Sequence, residues 1–204
     1  MQKSLLPFFL LLFLSFNLQA KPLLEEIPGE IHYSDHIKQV TFLIPVYALS
    51  GKPKYKKLHH QIKFLDETGK RQILYPSQAR EVRLNFYGSD IRFLTVKNSD
   101  VFRGMAFSQD YMHIFLKLEV QGKVNLLSYY YDDYNAATGG GTIHNYILHI
   151  DDYHIEFVEP LRFKMQMNRF FSDCPKLLNM IVNRTYRYRD MKQVVIFYNQ
   201  HCGI

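Results

Sequence analysis

The chain has 204 residues, of which 25 are Lys or Arg and 19 are Asp or Glu, so its formal net charge is +6. Hydrophobic residues make up 47% and charged residues 22% of the chain, which excludes a disordered protein and is typical of a packed domain. Two cysteines exclude a scaffold held mainly by disulfides, and the mild excess of positive charge permits anionic surfaces as partners without requiring nucleic acid.

The first twenty residues have the layout of a secretory signal peptide. Lys3 provides a positive start, residues 5–16 are almost wholly apolar, and Ala20 is a small residue at the expected cleavage site. The apolar run is about 12 residues long, whereas a membrane-spanning helix needs roughly 20. An uncleaved N-terminal anchor is the alternative. We therefore expect an exported protein, periplasmic or extracellular, with no transmembrane segment in the mature chain.

Residues from about 29 to 158 alternate between short apolar or aromatic runs and turn signals, which predicts antiparallel strands. Four pairs of these runs indicate hairpins, with turns around residues 66–70, 87–90, 121–122 and 151–153. Pro45 lies in a further strand-like run and predicts an edge position or a bulge, because proline cannot donate to a sheet ladder. An exposed edge there would suit an envelope assembly factor that accepts a partner's strand.

The apolar period becomes helical after Pro160. Pro175 suits the first position of one helix, and Asp190 can cap another. We predict an α+β fold, in which an antiparallel sheet or partial barrel is followed by two or three helices. The expected division is a signal peptide over 1–20, an antiparallel β domain over 21–158 and a helical segment over 159–204 packed on it.

Both cysteines, Cys174 and Cys202, lie in the helical tail, 28 positions apart. Disulfides persist in the oxidising compartments that exported proteins enter, so we predict a disulfide between them. It would connect the start of the second helix with the end of the third. The alternative is a catalytic thiol at Cys174, where a helix N-terminus would favour the thiolate.

A group of His and Asp residues is the metal candidate of this chain. Its members are His144, His149, Asp151, Asp152 and His154. Imidazole and carboxylate ligands suit zinc or a similar ion. The spacing matches no established zinc signature, and a strand would place His144 and His149 on opposite faces. A solvated hairpin is the simpler interpretation, and we predict no cofactor.

Two segments rich in tyrosine are candidate binding surfaces. Tyr129, Tyr130, Tyr131 and Tyr134 could form an aromatic platform for a sugar or peptide, although strand alternation would bury some of these rings. Residues 184–189 interleave Arg with Tyr, as nucleic-acid surfaces often do. One short patch is far from a continuous basic groove, so we expect a solvated connection between helices and no nucleic-acid partner.

The tail also carries a longer pattern: the run FFSDCP at 170–175, then Tyr198-Asn199 and Cys202, preceded by FLK at 115–117 and by three tyrosines at 129–131. This pattern resembles the SDCP…YNxxC signature of uncharacterised secreted proteins of Bacteroidetes. The resemblance implies a bacterial exported β-rich domain with a disulfide-linked helical tail. It brings no catalytic residues with it.

No motif of this chain indicates a particular catalytic reaction. The GxSxG elbow of α/β-hydrolases is absent, and the glycine run at 139–141 lacks the lysine and spacing of a phosphate-binding loop. We therefore expect a non-catalytic binding or interaction module of the cell envelope or exterior, with an envelope protein or a glycan as partner. The alternative is a metal-dependent hydrolase that uses the cluster from His144 to His154.

Overall fold

The computed structural model describes residues 23–97, 112–133, 141–150 and 154–202, so the expected signal peptide lies outside the described residues. Within these ranges ten strands form one sheet, and three helices follow them, which confirms the predicted α+β fold. The strands are β1 Leu24–His32, β2 Ile37–Pro45, β3 Ile62–Leu65, β4 Arg71–Leu74, β5 Glu81–Phe86, β6 Ser89–Lys97, β7 His113–Val120, β8 Asn125–Asp133, β9 Gly141–His149 and β10 Ile155–Val158. The helices are α1 Phe163–Phe170, α2 Pro175–Val182 and α3 Met191–His201.

The sheet is antiparallel throughout, in the order β10-β9-β8-β7-β6-β5-β1-β2-β3-β4. The four predicted pairs of strands form, as β3–β4, β5–β6, β7–β8 and β9–β10, and the predicted turn at 151–153 lies outside the described residues. The chain leaves the edge strand β4 through the 3₁₀ turn Pro76–Gln78 and returns to pair β5 with β1. Both edge strands have four residues, and short edges are poor templates for a further strand.

The expectation that Pro45 marks an edge strand or a bulge is wrong. β2 lies between β1 and β3, and Pro45 is its last residue, opposite Leu24 of β1. β3 pairs only with residues 41–43 of β2. Pro45 lies beyond the end of this ladder, so its missing N–H removes no hydrogen bond between β2 and β3. The strand that would have offered a free edge to a partner is therefore paired with β1 along its length and with β3 over residues 41–43.

One row of paired residues shows how the core is divided. Directly paired residues share a face of the sheet, and this row crosses it from β1 to β10 on the face that carries the helices. Its members, in order, are Ile31, Val82, Phe93, Lys117, Ser128, Tyr146 and Val158. The first three belong to a hydrophobic cluster on β1–β6, and the last two to a second cluster beneath the helices. Lys117 and Ser128 separate the two clusters.

The helical segment packs on β8, β9 and β10 through the second cluster. The predicted Cys174–Cys202 disulfide is present, with the two Cα atoms 5.6 Å apart. Asn199 of α3 holds the β7–β8 turn, because its amide donates to the Val124 carbonyl and accepts the Val124 N–H, each at 2.9 Å. A Cβ at Gly122 would lie 2.2 Å from the Asn199 side chain, so only glycine permits this approach. No described helix has the length and apolar character needed to cross a membrane.

His59 lies in a gap between β7 and β8. These strands pair from Lys117 and Ser128 towards their shared turn, and on the other side of that pair they separate. His59 bridges them: its carbonyl accepts the Phe115 N–H at 2.8 Å, its Nδ1 donates to the Phe115 carbonyl at 2.6 Å, and its Nε2 accepts the Tyr130 N–H at 2.8 Å. The imidazole is fully buried and stacks on the Tyr129 ring at 4.5 Å. These contacts require the neutral ring with its proton on Nδ1.

Acid should destabilise the protein through His59. Burial lowers its pKa from 6.5 to about 4, so the folded state disfavours the proton that the unfolded chain accepts near pH 6.5. The stability from the neutral ring is complete above pH 6.5 and is lost as the pH falls towards 4, about 3 kcal/mol in all. Urea unfolding at a series of pH values measures this loss. His59→Gln keeps one donor and one acceptor but does not titrate, so its free energy of unfolding should fall less over this range.

A control for that experiment is His60→Gln, because burial also lowers the pKa of His60. This imidazole is only half-buried, so its replacement should change the pH profile less. Equal slopes for the wild type and His59→Gln would contradict the assignment of the acid effect to His59.

Loss of the disulfide should lower stability without changing the fold. The bridge closes a segment of 28 positions, for which the chain-entropy model gives about 3–4 kcal/mol. Urea unfolding of the double variant Cys174→Ser and Cys202→Ser should therefore give a free energy of unfolding about 3–4 kcal/mol lower than that of the wild type. Its far-ultraviolet circular dichroism spectrum should not change. A loss below about 1 kcal/mol would show that the packing of α2 and α3 holds the tail without the bridge.

Candidate functional site

The residues that separate the two clusters form a polar strip on the helix-bearing face. We define it as Lys117, Glu119, Ser128, Tyr130 and His144, from β7, β8 and β9. Strand alternation places these side chains on one face, and Tyr130 is directly paired with His144. The 3₁₀ turn Tyr55–Leu58 borders the strip on one side and α3 borders it on the other.

Glu119 is the centre of the strip. Its side chain is 5% exposed, and its carboxylate forms ion pairs with the Nζ of Lys117 at 2.7 Å and of Lys192 at 2.6 Å. The Tyr130 hydroxyl donates to the same carboxylate at 3.3 Å. Burial alone would raise the pKa of Glu119, but the two ammonium groups outweigh it and hold this pKa below its usual value. Glu119 is therefore a carboxylate at neutral pH.

The aromatic rings of the strip pack against one another. The ring centroids of Tyr55 and Tyr130 are 4.8 Å apart, those of Tyr130 and His144 are 5.4 Å apart, and those of His144 and Tyr146 are 4.9 Å apart. The Nζ of Lys117 lies 5.1 Å from the centre of the Tyr55 ring. Because neighbouring groups occupy these ring faces, the rings of the strip do not form an open stacking platform.

Two titrating groups of the strip keep their neutral forms. Burial, followed by the charge of Glu119, raises the pKa of the Tyr130 hydroxyl, which therefore keeps its proton. Burial lowers the pKa of His144, whose imidazole is uncharged at neutral pH. At that pH the strip holds a fixed carboxylate, fixed ammonium groups and neutral hydrogen-bonding groups.

A second ion pair continues the strip towards the far end of β8. Lys56, from the 3₁₀ turn, pairs with Asp132. The Thr142 hydroxyl donates to Asp132 at 3.3 Å and lies 2.9 Å from the Tyr47 hydroxyl. The basic segment around residues 50–57 is thus partly held against the sheet, next to the strip.

The structure separates the tyrosines that the sequence singled out. Tyr130 lies in the polar strip, while Tyr129 and Tyr131 face the opposite side of the sheet. That side carries a third hydrophobic cluster, to which Tyr129 and Tyr131 belong. Tyr129 is buried, and the Tyr131 hydroxyl accepts a hydrogen bond from Asn145 at 3.1 Å. Tyr134 lies outside the described residues. Alternation along β8 thus prevents a single platform of consecutive rings.

The metal candidate is also divided between the two faces of β9. His144 belongs to the polar strip, whereas His149 faces the opposite side, with its Nδ1 3.5 Å from the Asn125 amide. His154 follows the turn, and Asp151 and Asp152 lie outside the described residues. Among the residues that the structure describes, no three His, Cys, Asp or Glu side chains come together as metal ligands do. The metal site stays a prediction.

The sequence pattern did not single out Lys117, Glu119 and Lys192 as site residues, although they carry the charge of the strip. Lys117 and Glu119 alternate with apolar residues along β7, a pattern that predicts a solvated face of a half-buried strand. Lys192 reaches Glu119 from a helix 73 positions away in the chain. The low exposure of Glu119 is the signal that identifies the site, and it exists only after α3 packs on the sheet.

Comparisons of this chain with protein-family models, with the curated proteins and with the solved structures found no match. The relationship that the SDCP…YNxxC pattern suggests therefore stays a prediction.

The charged groups of the strip should contribute less to stability than apolar side chains in the same positions would, and substitutions that include Glu119 test this. Glu119→Ala leaves the ammonium group of Lys117, which is 17% exposed, without its carboxylate, while that of Lys192, which is 46% exposed, stays solvated, so the free energy of unfolding should fall by about 2 kcal/mol. The double variant Lys117→Met and Glu119→Leu replaces the pair with apolar groups of similar size and leaves Lys192 to the solvent that already reaches it, so it should be neutral or more stable than the wild type. Urea unfolding at neutral pH measures both effects. A double variant as unstable as Glu119→Ala would show that the pair itself contributes stability.

Proposed function

We propose that this protein is an exported, non-catalytic binding module of the cell envelope or exterior, and that the polar strip is its ligand surface. The disulfide, which persists in oxidising compartments, supports export to the periplasm or the extracellular space. The partner we propose is an envelope glycan.

The observation that carries this proposal is the interruption of an apolar row by Lys117 and Ser128, with Glu119 buried beside them. Apolar residues at these positions would join two clusters that already lie on the same face. Burying an ion pair is costly, and its replacement by apolar side chains is often neutral or stabilising. Polar groups that break the apolar pattern of a core in this way are typical of functional sites, which supports a role for them in ligand binding.

The fixed charge of Glu119 supports binding over catalysis. A general acid or base works best with a pKa near the operating pH, and the ion pairs hold the pKa of Glu119 below its usual value. The carboxylate is also saturated by two ammonium groups and a hydroxyl. Such a group orients its neighbours and accepts hydrogen bonds, and it does not exchange protons with a substrate.

The chemistry of the strip suits a ligand rich in hydroxyl groups. It offers the ammonium groups of Lys117 and Lys192, the Tyr130 hydroxyl and the neutral imidazole of His144. These are fixed donors and acceptors on rigid strands and a helix, which is the arrangement that specific polar recognition needs. Sugars present closely spaced hydroxyl groups to match them.

The test is binding of the purified protein to an array of bacterial envelope oligosaccharides. We expect the wild type to bind a subset of the array and the double variant Lys117→Met and Glu119→Leu to lose this binding, because the new side chains offer no hydrogen bonds. The matched control is Lys38→Met with Glu67→Leu, the same exchange at an exposed ion pair of 3.5 Å. This control should bind as the wild type does.

Two outcomes would contradict the proposal. One is equal binding by the wild type and the strip variant, which would place the ligand elsewhere. The other is cleavage of a bound oligosaccharide, detected by mass spectrometry of the sugars after incubation. Cleavage would replace the binding module with an enzyme.

A further inference from the structure

A basic and aromatic cleft lies at the outer end of the helical segment, away from the centre of the polar strip. Its volume is about 370 Å³, and it lies between the start of α1, the end of α2 and the segment that leads to α3. The side chains that matter here are Lys164, Arg184, Arg187, Phe163, Tyr186 and Tyr188. Among the described residues no carboxylate lines this cleft. Three basic residues thus belong to the lining of an aromatic-walled recess.

The nearest carboxylates are already engaged at its margin. Glu159 pairs with Arg162 at 3.4 Å. Asp190 accepts the Arg187 backbone N–H at 2.9 Å and lies 3.8 Å from the Arg189 guanidinium. The cleft therefore keeps an excess of positive charge that an anionic group would balance.

Arg184 occupies a position whose backbone conformation favours glycine. α2 ends in a Schellman motif, in which the Arg184 N–H donates to the Ile181 carbonyl at 3.1 Å and the Thr185 N–H donates to the Met180 carbonyl at 2.8 Å. Arg184 has a φ of 61° in the left-handed region, which side chains with a Cβ rarely adopt. Strained residues of this kind cluster at functional sites, which points to a use for the Arg184 side chain.

Two exposed apolar side chains are sequence neighbours of residues that line the cleft. Leu161 is fully exposed, and Met165 lies one helical turn further along and is also exposed. Between them in the chain, Lys164 donates from Nζ to the carbonyl of Val182 at 3.2 Å, so α1 meets the exposed end of α2 here. Cations next to protruding apolar side chains are the combination by which peripheral proteins attach to anionic membranes.

We propose that this end of the helical segment docks on a membrane surface rich in anionic phospholipid, with Leu161 and Met165 entering the interface and the cleft receiving a headgroup phosphate. Arg184, Arg187 and Lys164 supply the charge complementarity, and the net charge, which is +5 without Lys3 of the expected signal peptide, favours approach to such a surface. This inference is independent of the glycan proposal, because it uses a different surface.

Flotation with lipid vesicles tests the proposal. The purified chain should float with vesicles of equal parts phosphatidylcholine and phosphatidylglycerol at low salt, and it should not float with phosphatidylcholine alone. Removing two cations with Arg184→Gln and Arg187→Gln should weaken binding about 30-fold. Leu161→Ser should weaken it about tenfold through the lost apolar contact. Leu49→Ser, at another fully exposed leucine, is the matched control and should change nothing.

A second variant separates membrane docking from stability. Arg184→Gly removes the strained side chain, so it should raise the melting temperature while weakening vesicle binding. A more stable variant that binds vesicles as the wild type does would overturn the role of Arg184. The docking proposal fails if the wild type binds neither vesicle, if neutral and anionic vesicles bind equally, or if Leu49→Ser weakens binding as much as Leu161→Ser. Calorimetric binding of inorganic phosphate as tight as vesicle binding would also overturn it, in favour of a soluble anion site.

Discussion

The shape of this sheet depends on His59, a neutral imidazole between two strands. It lets β7 and β8 separate while the backbone groups of Phe115 and Tyr130 remain hydrogen-bonded. A buried backbone group without a partner costs about 1–3 kcal/mol, so strands that separate in a core need such a bridge. Tyr130 is held by His59 through its N–H and pairs with His144 on β9. The same bridge therefore fixes the backbone of Tyr130, whose hydroxyl donates to Glu119 at the centre of the polar strip.

The division of the core follows from this separation. The 3₁₀ turn that precedes His59 covers the first cluster, and the helices cover the second, so a band of sheet between them is left for polar groups. The helical segment has two roles in this arrangement. Its inner face completes the core and brings Lys192 to Glu119, while its outer end carries the basic cleft around Arg184. The polar strip thus lies on strands, which hold functional groups more precisely than loops do, whereas the cleft also uses the connection between α2 and α3.

The elements that could be predicted from the sequence depend on residues that lie close together in the chain. The hairpin of β5 and β6 follows from two strand-like runs on either side of Tyr87-Gly88. Tyr87 and Gly88 both have positive φ values in the turn. Pro175 begins α2 as its fixed φ allows. The pairing of β5 with β1 could not be predicted in this way, because no turn signal connects strands so far apart in the chain. The interior position of β2 was missed for the same reason.

The sequence by itself determined the α+β class, the hairpins, the helices and the disulfide, because period, turn residues and two cysteines in one tail specify them locally. Only the tertiary structure decided which charges are buried. His59 meets Phe115 and Tyr130 across 56 and 71 positions, and Asn199 meets Val124 across 75. A lysine or glutamate that alternates with apolar residues along a strand shows the same sequence pattern whether its side chain is solvated or buried. Its environment is set by what packs over it, and that depends on contacts that no local pattern records.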